Sequence, residues 1–334
     1  MKPNDLPESM TRTLMGIVSG FWGHTGEPAS SPPHAREAVP APSALLARHF
    51  RNAKGARDYL LYVPHGPQGQ ARPLIVMLHG CQQDPGDFAV GTQMNMLAER
   101  HGFLVAYPRQ TSRANGANCW NWYEPGEQAR DGQEPSLIAG IVDAIGQDYA
   151  VDPARVFVAG LSAGAAMAVS LGQAYPEVFA GVAAHSGLPH GAAHDVQSAF
   201  AAMQGKAPVD GRSATARASQ PVRTLVLHGD ADRTVDPVNG AAITRQAVAA
   251  FKRAKVPVVL SATNESDGAR DFVDTEGRVM VRERIVPGGA HAWFGGHAEG
   301  SFTQPDGPDA SEEIVQFLLQ TPAPGMERHR PAAR

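Results

Sequence analysis

The 334-residue chain predicts a single-domain α/β fold with a mostly parallel central sheet and helices on both faces. Three observations carry this reading. Short aliphatic runs alternate with segments of helical length, the order that builds a parallel sheet with helices on both sides. Several runs are apolar throughout instead of at alternate positions, as strands covered on both faces must be; Pro73 to His79 is the clearest. One such run, Arg155 to Gly160, enters Gly160-Leu-Ser162-Ala-Gly164 and leaves it as a small-residue helical stretch. That order is a nucleophile elbow, in which a serine sits on a sharp strand-to-helix turn with its hydroxyl exposed.

The elements follow in order. Residues 1–50 do not read as part of a core. Thr11 to Trp22 predicts one short helix with Leu14, Ile17, Val18 and Phe21 on one face, and Glu27 to Pro42 an extended linker rich in Pro, Ala and Ser. This segment is either a surface-docked helix and tail or an apolar segment that touches a polymer-granule surface. A catalytic domain is expected over 51–322, followed by a loose tail over 323–334. Tyr59 to Val63, Pro73 to His79 and Phe103 to Tyr107 predict strands, and Phe88 to Arg100 a helix between the last two. Gln110 to Gln133 is a long aromatic loop with Trp120, Trp122 and Tyr123. Ser136 to Tyr149 is helical, with Leu137, Ile138, Ile141, Val142 and Ile145 at core spacing, and Asp152-Pro153 turns the chain into the elbow strand. Beyond the elbow come a strand at Gly181 to His185, a helix at Val196 to Met203, a strand at Arg223 to His228 and a helix at Pro237 to Ala254. A hairpin turning at Glu276-Gly277 precedes the last strand, Val281 to Val286, and a helix at Ser311 to Gln320 closes the domain.

Composition excludes several classes. The net charge of −4 gives no field to draw in nucleic acid or anionic lipid. No apolar stretch approaches the ~18 residues of a membrane span. Asp5 and Glu8 occupy the place of a basic leader region, and the apolar run behind them is broken by Gly16, Ser19 and Gly20. A cytoplasmic protein is expected, with a secreted or periplasmic one as the alternative. The two cysteines, Cys81 and Cys119, allow one disulfide at most, and a reducing compartment leaves them as thiols. The thirteen histidines show no zinc-ligand spacing, and no Gly-x-Gly-x-x-Gly follows a strand, so neither metal nor cofactor is expected.

An acyl-transfer serine needs a base to take its proton, and the base needs a carboxylate to fix its tautomer. In α/β-hydrolases these occur in the chain order serine, acid, histidine. Asp230, Asp232 and Asp236 follow the strand ending at His228; Asp232 is preferred because it fits the His-Gly-x-x-Asp-x-x-Val pattern, with Asp230 next. Of the histidines beyond them, His291 follows a strand through the tight turn at Gly288-Gly289, whereas His297 has no such strand and His329 lies in the tail. The oxyanion hole needs two backbone N–H groups. They are assigned to Ala163, after the nucleophile, and Cys81, in the loop after the strand ending at His79. Trp120, Trp122, Tyr123 and Trp293 are either ordinary core aromatics or the walls of an acyl pocket.

The set His79-Gly-Cys-Gln-Gln83, Cys119-Trp-Asn-Trp122, Gly160-Leu-Ser-Ala-Gly164, Ser186-Gly-Leu-Pro189, His228-Gly-Asp-Ala-Asp232 and His291-Ala-Trp293 resembles the poly(3-hydroxybutyrate) depolymerase family of α/β-hydrolases, neighbours of feruloyl and acetylxylan esterases. The resemblance implies Ser162, Asp232 and His291 as a catalytic triad, Cys81 and Ala163 as oxyanion donors, and the aromatic loop as cleft lining. It implies a polyester or oligoester substrate, with feruloyl, acetylxylan or generic short-chain esters as the alternative and a non-catalytic granule-associated binding protein as a third reading. In secreted relatives the positions of Cys81 and Cys119 can be bridged; here the pair is left open. Ala165 and Ala290 stand where the family pattern has glycine, and neither change removes a catalytic group. Without a recognisable leader or polymer-binding module, an intracellular form acting on amorphous polymer or soluble oligomers is expected.

Overall fold

The computed structural model describes residues 43–67, 69–206, 220–261 and 268–320. The expected N-terminal helix, the linker and the C-terminal tail lie outside them. Six strands form the parallel centre of the sheet: β3 (Arg72–Leu78), β4 (Leu104–Pro108), β5 (Val151–Leu161), β6 (Gly181–His185), β7 (Arg223–Gly229) and β10 (Val279–Val286). Antiparallel strands flank them: β1 (Ala44–Asn52) and β2 (Gly55–Val63) on one side, β8 (Val259–Leu260) and β9 (Ala269–Val273) on the other. The ten strands run in the order β1-β2-β4-β3-β5-β6-β7-β10-β9-β8.

The continuous apolar runs behave as two-faced strands. Leu74, Val76 and Leu78 of β3 point into a core shared with α3 (Gln133–Asp148), α4 (Ala163–Ala174) and α6 (Val238–Arg253). Ile75 and Met77 point into a second core with α1 (Pro85–Thr92), α2 (Met94–His101) and α7 (Ala310–Leu319). A further helix, α5 (Val196–Met203), opens on a capping box at Asp195 and Ser198. A small parallel pair, β11 (Trp293–Phe294) and β12 (Thr303–Gln304), stands apart from the main sheet. No helix among the described residues is long and apolar enough to cross a membrane.

Three expectations need correction. The sheet begins at Ala44, so a domain boundary at residue 51 cuts through β1. Every second residue of β1 is half-buried, and Phe50 fills the space over Gly140 of α3, where a Cβ would lie 2.3 Å from its ring. The helix expected over 88–100 is two helices, because Gln93 adopts a left-handed conformation (φ 52°) between α1 and α2. Asp152-Pro153 does not turn the chain; it lies within the extended start of β5.

Candidate active site

The elbow follows from close packing. Ser162 takes φ 57°, ψ −118°, in a region that non-glycine residues rarely occupy. The turn is tight enough that a Cβ on Gly160 would lie 2.5 Å from the Gly164 carbonyl carbon, and one on Gly164 would lie 2.1 Å from the Leu78 oxygen. No L side chain fits at either position. The Ser162 N–H donates to the His185 carbonyl at 2.9 Å, which ties the strained residue to β6.

Ser162 Oγ lies 2.9 Å from His291 Nε2, and His291 Nδ1 lies 2.7 Å from Asp232 Oδ2. Facing a carboxylate, Nδ1 carries the proton, which leaves Nε2 free to accept the serine proton. Asp232 is 6% exposed, and its Oδ1 accepts the N–H groups of Thr234 (2.9 Å) and Val235 (2.8 Å). Burial pushes the Asp232 carboxyl up; donors from His228, His291 and Val235 overcome this and hold it well below the usual carboxylate range. The neighbouring acids have other partners. Asp230 accepts the Gly288 N–H at 2.7 Å and shapes the turn before His291, and Asp236 accepts the Val238 N–H at 2.9 Å ahead of α6. His297 contacts Glu299 on the surface and does not reach the serine.

The loop after β3 lies beside the elbow: a Cβ on Gly80 would sit 3.7 Å from Ser162 Cβ. Among the described residues, neither the Cys81 nor the Ala163 amide donates to a protein acceptor. Two unpaired N–H groups flanking a half-buried nucleophilic serine are what a developing oxyanion requires. The loop is tied down on several sides. Gln83 Oε1 accepts the Gly80 N–H at 2.9 Å, while Gln83 Nε2 donates to Asp87 and Ser301. Gln82 N donates to the Ala117 carbonyl at 2.7 Å, and Cys81 is disulfide-bonded to Cys119. His79 Nε2 accepts the Gln110 N–H at 3.1 Å, so its proton is on Nδ1, which donates to the Gly80 carbonyl at 2.8 Å. Burial pushes the His79 pKa down to about 4.

Of the four aromatic residues assigned to a pocket wall, three are in the core, and only Tyr123 is half-buried. Trp120 is fully buried and donates from Nε1 to the His79 carbonyl at 3.1 Å. Trp293 is 1% exposed, stacked on His185 at 5.1 Å, edge-on to Phe88, and bonded through Nε1 to Ser311 Oγ at 2.9 Å. These side chains have no free face for a substrate; their loop positions point to a rim, but Phe88 of α1, His185 of β6 and Ser311 of α7 pack around Trp293. Trp122, 6% exposed, keeps only a small edge at the surface and meets the half-buried Tyr123 edge-on at 5.7 Å. Beneath this loop lies a polar hub that sequence reading missed. Glu134, 1% exposed, accepts the Asn121 N–H (2.9 Å), Asn121 Nδ2 (2.8 Å) and Gln110 Nε2, and Gln110 Oε1 accepts from the buried Arg57 at 2.6 Å. Burial raises the Glu134 pKa, against the pull of the Asn121 amide, Gln110 and Arg57. Its only sequence signal is a lone acid at the start of an apolar helix.

An elbow serine, a histidine after the last parallel strand and an acid after the one before it define an α/β-hydrolase with a serine-hydrolase constellation. The solved acetyl xylan esterase from Aspergillus awamori has the same fold, with a TM-score of 0.62 and 19% identity over 78% of this chain and 93% of that one. The model of the family "Esterase PHB depolymerase" matches residues 57–266, and the chain belongs to that family. It is 36% identical to poly(3-hydroxyalkanoate) depolymerase C of Paucimonas lemoignei over 199 residues, 57% of this chain and 48% of that one. It is 30% identical to poly(3-hydroxybutyrate) depolymerase of Ralstonia pickettii over 252 residues, 70% of this chain and 50% of that one. The chain thus spans about half the length of these curated relatives.

Proposed function

We propose that the protein is a serine carboxylesterase that hydrolyses poly(3-hydroxybutyrate)-type polyester or its oligomers through an acyl-enzyme. The observation that carries this is the continuous chain Ser162–His291–Asp232, at 2.9 and 2.7 Å, beside two unpaired amides. His291 Nε2 takes the Ser162 proton as Oγ attacks the ester carbonyl, and Asp232 stabilises the imidazolium that forms. The oxyanion is held by the Cys81 and Ala163 N–H groups. Collapse breaks the acyl–oxygen bond, and the leaving alkoxide takes the proton from His291. Water, deprotonated by His291, then releases the hydroxy acid and restores Ser162. Trp122 and Tyr123 are the aromatic residues proposed to meet the acyl chain. Polyester is favoured over other esters because the two curated relatives described above carry polyhydroxyalkanoate depolymerase names.

The test is a product assay on hydroxybutyrate oligomers of defined length, with methyl ferulate and acetylated xylan run beside them. Release of hydroxybutyrate is expected, and turnover of ferulate or xylan alone would sink the polyester assignment. Ser162→Ala should lower turnover by about 10⁴-fold or more while the protein stays folded. A second reading concerns compartment. The Cys81–Cys119 bridge favours an oxidising location over the cytoplasmic one expected from the sequence. Thiol alkylation of freshly lysed cells, read as a mass shift, separates the two.

A further inference from the structure

His228, the histidine that ends the apolar run of β7, is fully buried. Its Nε2 lies 2.9 Å from the Val235 carbonyl and 3.4 Å from Asp232 Oδ2. Both neighbours are acceptors, so Nε2 carries a proton. Nδ1 has no hydrogen-bond partner among the described residues, and the backbone of α6 closes over it: a Cβ on Gly240 would lie 3.0 Å away. The Nε2 proton is donated to Val235 O at 2.9 Å, and Asp232 Oδ2 lies 3.4 Å from the same nitrogen as a longer second acceptor.

We infer that His228 is a positioning residue of the reaction centre: its Nε2–H holds Asp232 Oδ2 in place and withdraws part of the negative charge that this oxygen presents to His291. The inference rests on reading Ser162, His291 and Asp232 as catalytic. Oδ2 then faces two imidazole nitrogens, His291 Nδ1 at hydrogen-bond distance of 2.7 Å and His228 Nε2 at 3.4 Å, while Oδ1 is taken by two backbone N–H groups. The donors to Asp232 that offset its burial include both histidines. The other titratable ring packed here is His185 of β6. Its Nε2 accepts the Phe294 N–H at 3.3 Å, and burial drives its pKa far down, so it adds no charge to the pocket. Without the His228 donor, more charge on Oδ2 faces His291. The imidazolium is then favoured, and the base is lost to protonation at a higher pH.

The test compares the pH dependence of kcat/KM for p-nitrophenyl butyrate in the wild type, His228→Leu and His228→Gln. In His228→Leu the acidic limb should move up by about 0.5–1 pH unit. His228→Gln, which keeps an N–H donor at similar reach, should restore the limb toward its wild-type position. A purely structural role would lower melting temperature in both variants and leave the limb in place, and that result overturns the proposal. If His228→Leu does not fold, ¹⁵N shifts of the ring in the wild-type protein decide: a proton on Nε2 across the pH range supports the proposal, and a proton on Nδ1 overturns it. A wild type that neither cleaves esters nor reacts with a fluorophosphonate would overturn the reading of the whole site, whereas an active wild type with an unmoved limb removes only the role of His228.

Discussion

The two sides of Ser162 are held by different means. On the acid–base side, Asp232 and His291 are placed by the ends of β7 and β10, adjacent parallel strands in register from Val281↔Thr224 to Val286↔Gly229. Short loops complete the work: Asp232 bonds the amides two and three residues on, and Asp230 bonds the turn in front of His291. On the oxyanion side, the Gly80–Cys81 backbone is placed by ties that are distant in sequence: a disulfide across 38 residues, Gln83 to Ser301 across 218, and Trp120 to His79 across 41. One side is built by secondary structure and the other by side chains. The first should therefore fail at single catalytic groups, and the second by gradual loosening.

The largest expected effect sharpens the first half of this contrast. Asp232→Asn should lower kcat by about 10³–10⁴-fold, because the amide no longer fixes the His291 tautomer. Asp230→Asn should leave kcat within about a few-fold, since it retains an acceptor for the Gly288 amide. Steady-state kinetics on a soluble ester checks both, and equal losses would break the assignment of the acid. Next is the disulfide. Reduction, or Cys119→Ser, should cost about 3–4 kcal/mol of stability by freeing a 38-residue separation in the unfolded chain, read as a lower midpoint in urea. An unchanged midpoint would mean that the oxyanion side does not depend on its longest covalent tie.

The third concerns pH. Buried His79 has its pKa lowered to about 4 from an ordinary 6.5. Below pH 6.5 the unfolded chain takes up a proton that the folded protein refuses until about 4. Stability from this group is therefore complete above 6.5 and is lost as pH falls toward 4, by about 3 kcal/mol in all. His79→Gln should flatten that part of the stability curve in denaturant titrations at stepped pH, and a curve as steep as the wild type's would sink the attribution. The smallest effect is expected of Gln83→Ala. With the Gly80 amide released, kcat should fall by about 10–10²-fold with little change in KM. A fall in KM affinity alone would instead place Gln83 in substrate binding.

The same division explains what was legible in the sequence. Ser162, Asp232 and His291 each follow an apolar strand in a local motif, and chain order prunes the alternatives; the structure places the three within hydrogen-bond reach. Glu134 and Gln110 carry no motif. They are single polar residues whose partners, Asn121 and Arg57, become neighbours only after folding. β1 was hidden because Arg48, His49 and Arg51 make it read as a linker, although a half-buried edge strand tolerates such alternation. Gln93 breaks a helix without the glycine or proline that would announce it. Trp293 shows the converse: an aromatic residue two positions from the base, in the short strand β11, yet sealed by Ser311 of a helix that follows later in the chain.

The edge position of β1 has a practical consequence. Ala44 pairs with Val63, and β2 runs antiparallel to β4, so the sheet is entered at the amino ends of its parallel strands. Ser162, Asp232 and His291 all follow carboxyl ends, with Ser162 on a strand four places along the sheet from β1. A tether attached at Ser43 would hold the molecule by the end of the sheet away from the serine, with the reactive mouth turned outward from the support. Immobilisation through this residue thus supplies orientation as well as attachment.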